Sequence, residues 1–280
     1  MERKVQDEKR IMSEQKTTVT SRFSGRFAKE ISLWALLARG SIYKITAVLI
    51  FMSAAELILF AGSLSRKIGP EQIADARFET IFDMDFQFLF FGGYAFLFFA
   101  ALCLVAFILH RCETVNGGSM SNYTFERLRI TRRHLFFVET VYNFLCFVLV
   151  FTVQIWTVLG MCQMYAHRVP ALLASPQMIF LAFYRLPFLH NLLPLAETGK
   201  WVRNLLMLLA ISMAAPDRGM KNYFHFLYPI VMIALWWNLS GIGAQLQDIF
   251  MGVLFALMIL ASLLQVWGIM GGDESVKEAE

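Results

Sequence analysis

Long apolar segments alternate with short polar ones along most of this chain. A helix needs about 20 mainly apolar residues to cross a hydrocarbon layer about 30 Å thick, because it rises about 1.5 Å per residue. Five segments of this kind lie at 41–64, 86–110, 135–162, 223–239 and 249–270, of which 223–239 is short. A sixth, less apolar segment lies at 201–215. The pattern predicts an all-α, polytopic membrane protein with six transmembrane helices.

The stretch 168–200 departs from this pattern because it contains four of the seven prolines of the chain. Proline removes a backbone donor, and lipid offers no replacement partner. We therefore expect a proline-broken segment before the fourth span, either re-entrant or interfacial on the outer side, or made of broken helices buried against other spans. An ordinary kinked span, which would bring the count to seven, stays open.

Residues 22–40, before the first span, have the pattern of an amphipathic helix. Apolar residues at helical spacing form one face and basic residues gather on another: Phe23, Phe27, Ile31, Trp34 and Ala38 against Arg22, Arg26 and Lys29. Such a helix lies at the membrane surface, with its cations at anionic lipid headgroups, or packs on the protein's own spans. Gly40 is expected to provide the turn into the first span.

The overall composition supports the membrane interpretation. The chain is 58% hydrophobic and 16% charged, whereas an average soluble domain is about 45–50% apolar and about 25% charged. A net charge of +4 raises the question of nucleic acid in a soluble protein. We expect no nucleic-acid partner here, because the basic residues lie where they orient the spans.

Lys and Arg are concentrated in segments that six spans place on one side of the membrane. With the N-terminus inside, 17 Lys and Arg lie inside and seven outside, and leaving out five in the far N-terminal tail gives 12 against seven. Because these residues accumulate in cytoplasmic segments, we expect both termini in the cytoplasm. We also expect the membrane to be the cytoplasmic membrane of a bacterium. The predicted organisation is a charged tail at 1–21, an interfacial helix at 22–40, a transmembrane domain at 41–270 and an acidic tail at 271–280.

The predicted inner loop 111–134, RCETVNGGSMSNYTFERLRITRRH, contains aromatic residues among its cations. The NGG motif at 116–118 predicts a turn, and Asn122 can cap a short helix. A topology signal explains the arginines completely, but it does not explain Tyr123 and Phe125. A few aromatic anchors flanked by cations are typical of docking into a groove of a soluble partner.

This arrangement resembles the permease subunits of type 2 ATP-binding cassette (ABC) exporters. The resemblance rests on the N-terminal interfacial helix, six spans with both ends inside, and the motif YTFERLRITRR between the second and third spans. It implies an elbow helix at 23–38, a coupling helix at about 122–130 that presses on a nucleotide-binding subunit, and a second permease subunit, identical or homologous. The residues to which it assigns the coupling contact are Tyr123, Phe125, Glu126, Arg127 and Arg129.

The motifs of several enzyme classes are absent. The sequence contains no G-x-x-x-x-G-K-[ST], H-E-x-x-H or G-x-S-x-G, and its five histidines are scattered singly. The chain therefore lacks the loop that holds ATP phosphates. We expect no enzymatic activity, no cofactor and no metal site in this subunit.

Ionisable residues inside the spans are the remaining candidates for mechanism, because each costs several kcal/mol unless it finds a partner or water. Glu56 lies near the middle of the first span. It can contact a cationic substrate, relay a proton, pair with Arg185, or make a structural ion pair or hydrogen bond. Glu139 lies about one turn inside the third span and can pair with Arg132 or Arg133. The polar residues expected to join helices by hydrogen bonds are Asn143, Gln154 and Asn238.

The combined prediction is a membrane permease subunit of an ABC-type exporter, which couples ATP hydrolysis by a separate subunit to substrate movement. Two alternatives stay open. One is an ion-coupled secondary transporter that uses Glu56 as its proton site, and the other is a membrane anchor or sensor whose inner loop docks a cytosolic partner.

Overall fold

The computed structural model describes residues 2–67, 77, 81, 93–115, 132–170, 175–195, 197–214, 233 and 245–277. Every element in this part of the chain is an α-helix. The helices are α1 (Glu2–Lys67), α2 (Gly93–Val115), α3 (Arg132–Arg168), α4 (Pro176–Arg185), α5 (Pro187–Leu192), α6 (Thr198–Ala214) and α7 (Gln245–Lys277). The predicted all-α fold class is confirmed.

Three helices are long and apolar enough to cross a membrane. They contain the segments Leu37–Arg66 of α1, Gly93–His110 of α2 and His134–Arg168 of α3. A shorter apolar stretch, Asp248–Leu264, lies in α7. α6 contains nearly all of the predicted fourth span, and the predicted fifth span, 223–239, lies outside the described residues except for Ile233. The count of six spans stays a prediction.

Hydroxyl side chains inside these apolar helices return hydrogen bonds to their own backbone. Each donates to the carbonyl oxygen four residues earlier, over 2.6 to 3.1 Å: Ser41, Thr46, Ser63, Ser65, Thr152, Thr157, Ser212 and Ser262. Lipid offers no partner for a hydroxyl, so this bond allows a polar side chain to sit within an apolar helix.

α1 is 66 residues long and continues through Gly40, so the predicted turn at this residue is wrong. One glycine inside a helix costs only about 1 kcal/mol relative to alanine. The adjoining turn is anchored, because the Ser41 hydroxyl pairs with that of Tyr142 at 2.6 Å. Leu33 is buried against α3, whereas Ile31, on the predicted apolar face, is exposed. This end of the predicted elbow helix therefore packs on the protein itself.

α1 and α3 pack side by side and run in the same direction. Ser41 of α1 pairs with Tyr142 in the first half of α3, and near the ends of both helices the Arg168 guanidinium donates to the Ser65 hydroxyl over 3.3 Å. α2 lies against both helices. It runs in the opposite direction, because the hydroxyl of Tyr94, in its first turn, is hydrogen-bonded to the last turns of α1.

α6 lies against α3 and α7. Arg203, near its start, is ion-paired with Asp248 in the first turn of α7. Met213, near its end, packs with Phe136 at the start of α3 and with Ile259 of α7. α6 and α7 are therefore parallel to each other and antiparallel to α3, so α6 ends and α7 begins at opposite ends of the bundle.

We call the end of the bundle where α3 ends and α5 begins the proline end. The opposite end, where α2 ends at Val115 and α3 begins at Arg132, is the basic end. Leu33 of α1 packs against the start of α3, so the N-terminal half of α1 reaches the basic end. α7 runs toward the same end, because Ile259 packs near Phe136.

Two short helices separate α3 from α6. The Ser175 hydroxyl caps α4 by accepting a bond from the backbone amide of Met178 over 3.4 Å. Pro187 begins α5, and a residue before proline disfavours helical backbone, so Leu186 adopts φ −78° and ψ 118°. Apolar residues of both short helices join the main core: Ala182, Phe183, Phe188, Leu189 and Leu192. Of the alternatives left open for 168–200, the structure has broken helices packed against other helices, and a re-entrant or interfacial position in the membrane stays a prediction.

α3 also presents a row of large exposed apolar side chains. They recur at helical spacing, with 43 to 71% of each exposed: Phe137, Val141, Leu145, Leu149 and Trp156. Contiguous apolar patches of this kind are rare on soluble monomers. The row suits contact with lipid.

Candidate functional site

Four side-chain hydrogen bonds join α1 and α3 along their shared length. They link Ser41 with Tyr142 at 2.6 Å, Gln154 with Glu56 at 2.9 Å, Thr157 with Ser53 at 3.0 Å and Arg168 with Ser65 at 3.3 Å. The second and third bonds are neighbours, because their residues are three apart on each helix and therefore share a face. This places a compact polar patch within an otherwise apolar interface.

Glu56 lies at the centre of this patch and is 0% exposed. Gln154 Nε2 donates a hydrogen bond to Glu56 Oε2 over 2.9 Å, which confirms the prediction that Gln154 joins two helices. The other oxygen of each side chain, Oε1 in both cases, is buried without a hydrogen-bond partner among the described residues. Of the alternatives left open for Glu56, the structure has a structural hydrogen bond and not a pair with Arg185, which lies exposed at the end of α4.

The described residues around Glu56 are uncharged. Tyr94 of α2 interacts electrostatically with the carboxyl group, and its hydroxyl is hydrogen-bonded to Ser63. The Thr157 hydroxyl of α3 bonds to Ser53. Within the described part of the chain, Glu56 therefore has neutral hydrogen-bonding neighbours and no cationic partner.

Glu139 is the second buried acid, with 2% of its surface exposed. It lies in the second turn of α3, as the sequence indicated. The side chains of its predicted partners, Arg132 and Arg133, lie outside the described residues, so this pairing stays a prediction. Asn143 is buried on the same helix, and Asn238 lies outside the described residues.

A second polar cluster occupies the proline end and is centred on Arg203, which is 3% exposed. Its guanidinium pairs with Asp248 of α7 and donates to the side-chain oxygens of Asn191 at 3.3 Å and Asn204 at 3.2 Å. Asn204 Nδ2 in turn donates to the Asn191 backbone carbonyl over 2.8 Å. The cluster therefore ties α5, α6 and α7 together through one buried cation.

Glu197 borders this cluster at the start of α6. It lies 2.9 Å from the Lys200 ammonium and 3.3 Å from His190 Nε2. The hydrogen bond from Lys200 is the main reason that the pKa of the Glu197 carboxyl lies below its usual range. The buried Lys200 is thereby neutralised at the edge of the bundle.

The Arg203 cluster was not found from the sequence. Arg203 and Asp248 each lie in the first two turns of an apolar helix. Opposite charges at equivalent positions of two such helices were the available signal. Recognising it required the knowledge that α6 and α7 run parallel.

The predicted coupling residues Tyr123, Phe125, Glu126, Arg127 and Arg129 lie outside the described residues. The helix before this segment, α2, ends at Val115, and the helix after it, α3, begins at Arg132. Both of these helix ends lie at the basic end.

Comparisons with known proteins provide no family for this chain: no family model, curated protein or solved structure matches it.

Proposed function

We propose that this chain is the membrane-spanning permease subunit of an ABC-type exporter in the bacterial cytoplasmic membrane, with both termini in the cytoplasm. The observation that carries the proposal is the direction of the helices. α2 ends, α3 begins and the N-terminal half of α1 lies at one end of the bundle, and α7 runs toward that end. These directions agree with a coupling loop and two terminal segments on a single face of the membrane.

The helix directions also agree with six spans. α1 and α3 run in one direction, and α2, α6 and α7 run in the opposite direction. α6 therefore ends at the basic end, whereas α7 begins at the proline end. One further crossing between Ala214 and Gln245 satisfies this order. A predicted span lies there, at 223–239.

In this proposal the work is divided between subunits. A separate nucleotide-binding subunit hydrolyses ATP and docks on the coupling residues at the basic end. Two permease subunits, identical or homologous, line the substrate path, and lipid covers exposed apolar rows such as that of α3. The chain itself is not an enzyme and binds no nucleic acid.

The docking proposal predicts a specific loss of ATPase stimulation. Tyr123→Ala and Arg127→Glu, introduced separately, should each lower ATP turnover of the reconstituted complex about tenfold or more, because aromatic and Arg anchors carry most of the affinity at an interface. The measurement is phosphate release in lipid nanodiscs that contain the permease and its nucleotide-binding subunit.

Arg66→Glu is the matched control. It makes the same change of charge at an exposed site near the opposite end of α1, so turnover should stay at the wild-type level. Equal turnover in Tyr123→Ala, Arg127→Glu and wild-type complexes would contradict the proposal.

The burial of Glu56 favours a second candidate, an ion-coupled secondary transporter. A carboxyl group that is 0% exposed and has one oxygen without a partner is a suitable proton carrier. Transport that persists after ATP depletion, but stops with a protonophore and in Glu56→Gln, would select this candidate over the first.

A further inference from the structure

Two buried acceptor atoms are left without donors at a single contact between α1 and α3. Gln154 Nε2 donates to Glu56 Oε2 over 2.9 Å, which uses one donor of the amide and one oxygen of the carboxyl group. Glu56 Oε1 and Gln154 Oε1 have no hydrogen bond to any residue that the structure describes. Both belong to residues that are 0% exposed.

An ionised carboxylate cannot resolve this arrangement. Carboxylate oxygens and amide carbonyl oxygens only accept hydrogen bonds. A buried acceptor without a donor destabilises the folded state, and an uncompensated buried charge destabilises it more. With Glu56 ionised, the contact would contain two unsatisfied acceptors and a negative charge.

One proton removes all three costs. When it binds Glu56 Oε1, the carboxyl group becomes a neutral acid with an O–H donor. The Gln154 carbonyl is the vacant acceptor on the very amide that already donates to Glu56 Oε2. A carboxylic acid and a primary amide are complementary in this sense, because each offers one donor and one acceptor to the other.

Within the described part of the chain, the neighbouring groups do not offer a donor for either acceptor. On α2, Tyr94 is the titratable group that faces Glu56, and its hydroxyl is engaged with Ser63. On α3, Gln154 and Thr157 face the site, and both are uncharged. Ser53 and Thr157 are bonded to each other. Hard metal cations take about six oxygen ligands, which is more than the two vacant acceptors supply.

We propose that Glu56 and Gln154 form a proton-binding site, in which one proton taken from water converts the Glu56 carboxylate to an acid that pairs with the Gln154 amide. The proton thereby becomes part of the α1–α3 interface. Its release leaves two acceptors unsatisfied and weakens the contact between these helices. The site exists in either function proposed above, because it depends only on the packing of α1 against α3.

Infrared difference spectroscopy of the full chain in lipid bilayers tests the proposal at neutral pH. The wild-type spectrum should contain the carbonyl stretch of a protonated carboxylic acid, and Glu56→Gln should lose this band. Gln154→Leu should shift the same band to higher frequency, because the acid then lacks its amide partner. Glu197→Gln is the control and should leave the band unchanged, since Glu197 is exposed and paired with Lys200.

Three results would contradict the proposed proton-binding site. Loss of carboxylate bands, instead of an acid band, in Glu56→Gln would show that Glu56 is ionised and overturn the proposal. So would an acid band that Gln154→Leu leaves unshifted, or one that disappears when sodium chloride replaces choline chloride. If Glu56→Gln does not fold, the shift in Gln154→Leu decides alone.

Discussion

Replacing Asp248 with leucine is expected to destabilise the bundle by about 3 to 5 kcal/mol. Asp248 is the carboxylate partner of Arg203, whose side chain is only 3% exposed. Removing one member of a buried ion pair leaves the other charge without compensation, and this loss exceeds the energy of the pair itself. Asn191 and Asn204 still accept hydrogen bonds from Arg203, but neither carries a charge. Reversible unfolding of the reconstituted protein in denaturing detergent measures the change.

The double variant Arg203→Met, Asp248→Leu separates charge from packing. It removes both charges and keeps apolar volume at both positions, so it should recover most of the stability that the single variant loses. A double variant as unstable as Asp248→Leu would show that the damage arises from altered packing of α6 and α7, and would contradict the prediction.

Replacing Phe98 with alanine is expected to cost about 3 kcal/mol or more. Phe98 is 0% exposed, and its ring meets Phe151 of α3 at 5.1 Å and Phe188 of α5 at 5.8 Å, both edge to face. Helix association in lipid depends strongly on van der Waals packing. A cavity at this position removes contacts with two other helices at once. The same unfolding assay measures the loss.

Phe107→Ala is the matched control for this prediction. Phe107 lies on the same helix and has 54% of its surface exposed. The same truncation there creates no enclosed cavity, so the expected loss is less than about 1 kcal/mol. Similar losses in the two variants would show that the Phe98 contacts do not stabilise the bundle.

The apolar pattern predicted the helices well because the solvent imposes a simple rule. A long apolar segment that cannot leave backbone groups unpaired must form a helix. Segment 135–162 lies inside α3, and 249–270 lies inside α7. The prolines of 168–200 indicated interrupted helices, and one interruption lies at Pro187, which cannot donate to the preceding turn.

Local signals failed where tertiary contacts outweighed them. Gly40 was a reasonable place for a turn, but the α1 helix continues through it. The cost of one helical glycine is small beside the packing of Leu33 and the Ser41–Tyr142 bond on either side of it. The sequence contains Leu33 and Val138, and Ser41 and Tyr142, but it does not show that the members of each pair are in contact.

The candidate site was predictable only in part, and for the same reason. Glu56 could be identified as a buried acid from its position in an apolar segment, and Gln154 as a residue that joins helices. Their pairing could not be identified, because it spans 98 positions of sequence. Arg185 was an equally acceptable partner for Glu56 on charge alone.

The sequence by itself determined the helical class, the apolar segments, the proline break and the depth of Glu56, since each follows from the local cost of placing polar groups in lipid. Only the tertiary structure decided the directions of the helices and the partners of their polar residues. Such partners depend on which helices lie side by side and in what register. A partial rotation of α3 about its axis would turn Gln154 away from Glu56 without changing the helical preference of any residue.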